Sequence, residues 1–356
     1  MNYMVDQEDG GGMGFNVGST WKPINMVAWM QKGHSINESL VTSTVYDTSK
    51  FNCNGYGFVG PWRVQNSGGG TTSPESPLQG LIKSHNTTQA SMASNIGLCA
   101  IADAAKEMGY HNAISNASDI YSANSFQPPM TIGTVQASPL TMANVYATMG
   151  ANGVECTPIA ITKVTDRSGS KVKVPSANCH QAIDPDIAQT VSYALNQGVV
   201  QPGGEASTTQ LDNNRKTFAK TGTNENTVMA TAGFVPNQVA AFVAVADAQD
   251  PINNTFDNKT INGVYRPSWY GMYIATPAWK QFMNTYLAAI NAPIDNDYGK
   301  GADKYTVSKG ATRTYNQYQY QRQQNSQQQS QQQTNQGQQQ QSQQQPAEQQ
   351  SDQQHQ

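Results

Sequence analysis

The chain has 356 residues, with 21 Lys and Arg against 24 Asp and Glu, a net charge of −3 and only 13% charged residues. That length allows two domains, or one large domain with appendages. The near-neutral balance excludes a strongly basic nucleic-acid binder and a polybasic membrane-surface protein.

Residues Met1 to Gly14 are polar, acidic and Gly-rich. They lack the basic and then apolar pattern of a signal peptide, and no run of about 18 apolar residues encodes a membrane span. Ser19 to Gln31 predicts a helix: Ile24, Val27, Ala28 and Met30 share a face, Pro23 fits the first turn and Gly33 ends it. Phe51 to Pro77 is rich in Gly, Ser, Asn and Pro and reads as irregular surface structure. Gln79 to Met108 is helical in pattern, with a break near Gly97, and Ser138 to Met149 is another helix, stopped by Gly150. Pro158 to Pro175 reads as a β-hairpin around the turn Asp166 to Ser170. Asp184 to Asn196 is helical. Thr217 to Thr223, Val228 to Val235 and Val239 to Ala246 form an antiparallel meander, and Thr276 to Ile290 a closing helix.

This order predicts an α+β fold over residues 1–293. From 294 to the end no packed structure is expected. Roughly 60% of the residues from Gln317 onward are glutamine, and such a tail buries too little apolar surface to offset its chain entropy.

The cysteines are Cys53, Cys99, Cys156 and Cys179, with no Cys-x-x-Cys spacing, which makes a zinc site a poor reading. The hairpin would bring Cys156 and Cys179 together at its open end. A bridge there would stabilise by about 3 kcal/mol in the chain-entropy model and would imply an oxidising compartment. Two free buried thiols are the alternative. The pairing of Cys53 and Cys99 is left open.

Three short motifs occur in order: Gly18-Ser-Thr-Trp-Lys22, Ser84-His-Asn86 and Lys220-Thr-Gly-Thr223. Each is weak alone. Ser19 could merely cap a helix and Lys22 be a solvated first-turn lysine. Together and in order they point to nucleophilic catalysis. Ser19 and Lys22, three apart, share one helix face. A serine hydroxyl needs a base, and a neutral lysine can be that base if burial and a nearby cation lower its pKa. Lys220 is the candidate cation. Helix-start N–H groups and the Thr223 N–H could form an oxyanion hole, and Gly222 would leave room for a substrate backbone.

This set of motifs resembles the β-lactamase and penicillin-binding protein group. Gly14 to Pro23 is similar to the nucleophile segment of class A penicillin-binding proteins, of the actinobacterial type. Met130 to Thr148 resembles the stretch between their second and third motifs. Asn152-Gly153, Ala219 to Thr223 and Trp269 to Met283 continue the likeness, which covers about residues 10 to 290. The resemblance implies a β-lactamase/transpeptidase-like fold, in which an antiparallel sheet packs with a helical cluster. It implies a D,D-transpeptidase that cross-links peptidoglycan stem peptides ending in D-Ala-D-Ala. Ser19 would attack the carbonyl, Lys22 act as base, Ser84 relay a proton, and Asn86 bind a substrate amide and steady Lys22. Lys220, Thr221, Gly222 and Thr223 would form the strand that holds the terminal carboxylate. Penicillins would acylate Ser19. No metal or organic cofactor, and no nucleic acid, is implied. The place of work would be extracytoplasmic, at the cell wall face of the membrane.

Only 18 residues precede Ser19. The family's first sheet strands, membrane anchor and glycosyltransferase domain are therefore expected to be missing, and an inert fragment is the competing reading. Trp21 stands where Phe or Tyr is usual, and the usual tryptophan near Thr231 or Ala232 is lacking. No Glu is followed four residues later by Asn, which disfavours a class A β-lactamase. A D,D-carboxypeptidase would differ only in using water as acceptor.

Overall fold

A computed structural model describes residues 1–122, 124–250 and 253–307 of the chain. Its central layer is a three-stranded antiparallel sheet of β1 (Phe218–Asn224), β2 (Val228–Val235) and β3 (Val239–Val245), in the order β3-β2-β1. The meander was legible from strands rich in Val, Thr, Phe and Ala separated by turn residues. Every position of β2 is buried, because both faces of the sheet are covered. Phe218, Ala230, Ala232, Phe234 and Phe242 point into the main core with the helices. Ala219, Val235 and Ala241 point the other way, onto Trp279, Met283 and Leu287 of the last long helix. This is the period of two that a strand imposes.

That last helix, α7, spans Gly271–Ala289, five residues longer at its start than the sequence pattern indicated. Pro277 lies inside it. The helix can begin at Gly271 only without a side chain: a Cβ there would lie 2.4 Å from the carbonyl oxygens of both Gly222 and Ala230.

On the other face stand α1 (Lys22–Gln31), α2 (Pro77–Ile82), α3 (Asn86–Ile96), α4 (Leu98–Glu107), α5 (Pro139–Gly150) and α6 (Pro185–Val200). In α1 every residue but Gln31 is buried. It is a central helix rather than the one-faced helix that its apolar spacing predicts. The stretch 79–108 breaks twice, not once. Beside the expected break at Gly97, the chain leaves the helix at Lys83 to His85, with Ser84 in the left-handed region at φ 55°. The second motif therefore sits in a turn between helices, where the pattern alone placed it within one.

The 158–175 hairpin is present, but its paired part is short: Val164–Thr165 with Lys171–Val172, the turn held by the Asp166 carboxylate accepting from the Ser168 and Ser170 amides. Cys156 and Cys179 are bridged, as are Cys53 and Cys99, leaving no free cysteine.

The packed region does not end at 293. Tyr298 is buried, its ring edge-on to both Phe218 and Phe234. Its hydroxyl donates to the Met149 carbonyl and accepts from the Asn152 amide. Arg215 donates to the carbonyls of Ala292 and Pro293, and the Ile36 amide to that of Tyr305. The segment around Tyr298 has no apolar periodicity, so one aromatic anchor carries what the pattern could not announce. The expected 1–293 boundary thus moves to at least residue 307; the glutamine-rich segment lies outside the described residues.

Candidate active site

The first motif opens α1. Gly18 to Trp21 form a 3-10 turn closed by the Lys22 amide donating to the Ser19 carbonyl. In such a turn side chains at i and i+3 eclipse, so Ser19 and Lys22 line up on one side. Ser19 is half-buried, caps no helix, and its hydroxyl has no hydrogen-bond partner among the described residues. Lys22 is fully buried, not solvated.

The Lys22 amine meets the second motif directly. It lies 2.6 Å from the Ser84 carbonyl oxygen, 3.1 Å from the Ser84 hydroxyl and 2.7 Å from Asn86 Oδ1. Burial pushes its pKa well below the ordinary lysine value. The positive charge of Lys220 adds to this, and Glu205 opposes it. A neutral amine has two hydrogens and one lone pair. It can donate to the two carbonyl oxygens and accept from the Ser84 hydroxyl.

The third motif lies on β1, against the nucleophile turn. A Cβ on Gly18 would be 3.1–3.3 Å from the backbone of Thr223. A Cβ on Gly222 would be 3.0 Å from both the Val17 carbonyl oxygen and the Thr20 methyl. Gly222 thus makes room for the turn that carries Ser19. Lys220 is buried, and burial lowers its pKa to about 8, against the pull of Glu205. The Thr221 hydroxyl reaches the Glu205 carbonyl, and Thr223 Oγ1 accepts from the Gly271 amide at the start of α7. The turn and the strand bring the two lysines close enough for one charge to act on the other.

Several residues that support this arrangement were not singled out from the sequence. Tyr146 donates to the Thr20 carbonyl from the middle of α5. Gly133 and Val135 accept from the amides of Gly18 and Val17. Asn25 donates to Gln89 and to the Thr131 carbonyl. The stretch from Met130 to Thr148 is thus the bed on which the nucleophile turn rests. Its family likeness was the only sequence signal for it. Trp21 packs edge-on to Tyr110, which accommodates the larger aromatic. Where a tryptophan was missing, the Thr231 hydroxyl pairs with that of Thr276 at 2.9 Å. Asn66, within the stretch read as irregular, accepts from the amide of Thr87, and the Asn86 side chain donates to the neighbouring Gln65 carbonyl.

The penicillin binding protein transpeptidase domain family matches residues 14–281. The chain belongs to this family. Penicillin-binding protein 1A of Neisseria meningitidis is 28% identical over 280 residues, covering 76% of this chain and 31% of that protein. Its counterpart in Clostridium acetobutylicum is 27% identical over 199 residues, covering 54% of this chain and 23% of that protein. The chain thus spans about a third of the length, or less, of these curated relatives. Among solved structures, PonA1 of Mycobacterium tuberculosis in complex with penicillin V superposes with a TM-score of 0.66 at 19% identity, covering 83% of this chain and 74% of that one. Penicillin-Binding Protein 1A of Haemophilus influenzae gives 0.61 at 20% identity, covering 79% and 43%. The β-lactamase/transpeptidase-like fold is therefore the fold of this penicillin-binding transpeptidase domain, with Ser19, Ser84 and Lys220 on adjoining elements.

Proposed function

We propose that this domain is a serine D,D-transpeptidase that cross-links peptidoglycan stem peptides ending in D-Ala-D-Ala and is blocked by penicillins through the same serine. The observation that carries the reading is the Lys22 amine, buried and hydrogen-bonded to Ser84 and Asn86 one turn from an unengaged serine.

Lys22, its pKa lowered by burial and by the charge of Lys220, takes the Ser19 proton as the hydroxyl attacks the D-Ala-D-Ala carbonyl. The developing oxyanion is met by backbone N–H groups beside Ser19 and Thr223. Ser84, hydrogen-bonded to Lys22, passes a proton to the leaving D-Ala. The amine of a second stem peptide then attacks the acyl-enzyme, and Ser19 recovers its proton through the same groups. Lys220, Thr221 and Thr223 hold the terminal carboxylate. Asn86 keeps Lys22 in place and offers its amide to the substrate backbone.

The extracytoplasmic face is the proposed place of work, because both disulfides need an oxidising compartment. No helix among the described residues is long and apolar enough to cross a membrane.

The test is intact mass after incubation with a penicillin, beside Ser19→Ala. A stable adduct on the parent alone is expected. Equal labelling of both chains, or of neither, would overturn the assignment of Ser19.

A further inference from the structure

We infer that Glu75 and His85 form a positioning pair that fixes the turn bearing Ser84 and Asn86, and so sets the rate of the acylation step. The inference rests on the reading of that turn as part of the active site.

His85 is the middle residue of the second motif, flanked on both sides by groups that touch Lys22. Its side chain points away from them. Nδ1 lies 2.9 and 3.0 Å from the two carboxylate oxygens of Glu75. Glu75 is buried, and the Thr88 hydroxyl, from α3, donates to one of the same oxygens. No Lys or Arg among the described residues pairs with this carboxylate. Its partners are therefore the motif's own histidine and the helix that follows the motif. Glu75 is itself anchored, its amide and carbonyl both paired with Leu40. Gly80 completes the fit, since a Cβ there would lie 2.5 Å from Thr88.

A buried carboxylate is an expensive way to fill space that an apolar side chain could fill. What it adds is direction. The short contacts of Nδ1 to both carboxylate oxygens fix the ring and with it the backbone on either side. That backbone needs fixing. Ser84 is a non-glycine residue at φ 55°, a conformation that persists only where its surroundings over-determine it. Lys22 pulls the Ser84 carbonyl and the Asn86 side chain from one side, and Glu75 holds His85 from the other.

The experiment compares Glu75→Gln, His85→Leu and His85→Asn with the parent. Folding is checked by thermal melts, and penicillin acylation is split into initial binding and the chemical step. A misplaced reacting group costs about tenfold to a hundredfold. Folded Glu75→Gln and His85→Leu are therefore expected to lose at least about tenfold in the chemical step, with initial binding little changed. His85→Asn, whose Nδ2 reaches the place of Nδ1, is expected to recover part of the loss. Parental rates in folded Glu75→Gln and His85→Leu would overturn the inference, as would equal losses in the Leu and Asn variants. Hydrogen exchange gives a readout that does not need penicillin. The Ser84 and His85 amides, bonded to the Leu81 and Gly80 carbonyls, are expected to lose protection in Glu75→Gln before the rest of α2 and α3. Unchanged protection there sinks the pair, whereas a parent chain that no penicillin labels sinks only the reading of the site.

Discussion

The Lys22 amine lies 3.1 Å from the Ser84 hydroxyl, so two residues 62 apart, with α1 and α2 between them, meet in one hydrogen bond. A role as base, unlike the contact itself, needs Lys22 to be short of a proton. An arginine cannot be, and a methionine offers no base. Lys22→Met and Lys22→Arg are both expected to lower the penicillin acylation rate by about 10²–10⁴-fold, with stopped-flow or quenched mass spectrometry as the measurement. Acylation by Lys22→Arg at close to the parental rate would rule Lys22 out as base.

The pH dependence should have an alkaline limb set by Lys220, whose pKa is lowered to about 8 by burial. Above that pH it loses the charge proposed to hold the ligand carboxylate, so acylation should fall. The sign for stability is opposite. Between about 8 and the ordinary value of 10.5 the unfolded chain binds more protons than the folded one, so stability rises with pH. This contribution is complete above 10.5 and is lost as pH falls through 8. Urea midpoints of the parent and Lys220→Met across that window provide the check. Parallel slopes would refute the assignment.

Gly222→Ala should be damaging. Its methyl would enter the space held by Val17 and Thr20, and overpacking of this kind costs about 1–3 kcal/mol. The nucleophile turn should move away from β1, so acylation should fall by more than the stability loss explains. If adduct formation simply tracks the folded fraction, the glycine serves packing alone.

Tyr298→Ala should cost about 3–5 kcal/mol, as for other large buried aromatics. It removes both ring contacts with Phe218 and Phe234 and the Met149 hydrogen bond. A chain ended at 293 should be destabilised at least as much. A melting temperature unchanged by that truncation would restore the shorter boundary.

An ion pair near the start of the chain also responds to pH. Asp6 faces His111, Ser138 and Thr141. Burial raises the Asp6 carboxyl, but its hydrogen bonds, that from His111 foremost, bring it below the usual value. The Asp6 hydrogen bond raises His111, against burial. The His111 contribution is thus present below its unfolded pKa and lost as pH rises through the raised one. The Asp6 contribution is lost as pH falls through its lowered one. Asp6→Asn should flatten both losses in a plot of melting temperature against pH. An unaltered plot would discount the pair.

The sheet was legible because β2 and its neighbours are rich in Val, Thr, Phe and Ala and are punctuated by turn residues, Asn226 and Asn237 among them at positive φ. The candidate site was legible because its three motifs are local in sequence. What escaped was non-local. The bed beneath Ser19 is made by backbone carbonyls of Gly133 and Val135, which carry no residue signature. The Ser84 turn interrupts a helical pattern because tertiary bonds to Lys22 outweigh local propensity. The Cys53–Cys99 bridge joins a loop to α4 across 46 residues, with no hairpin to announce it.

That bridge also ties the loop region leading to Gln65 and Asn66, which hold Asn86 and Thr87, to the helical core. Closing so long a loop is worth about 4 kcal/mol in the chain-entropy model. A newly made chain in a reducing cytosol would lack this staple. On the proposed function, maturation of the site would then wait for export: the domain would reach its full rigidity only after its thiols had met an oxidant.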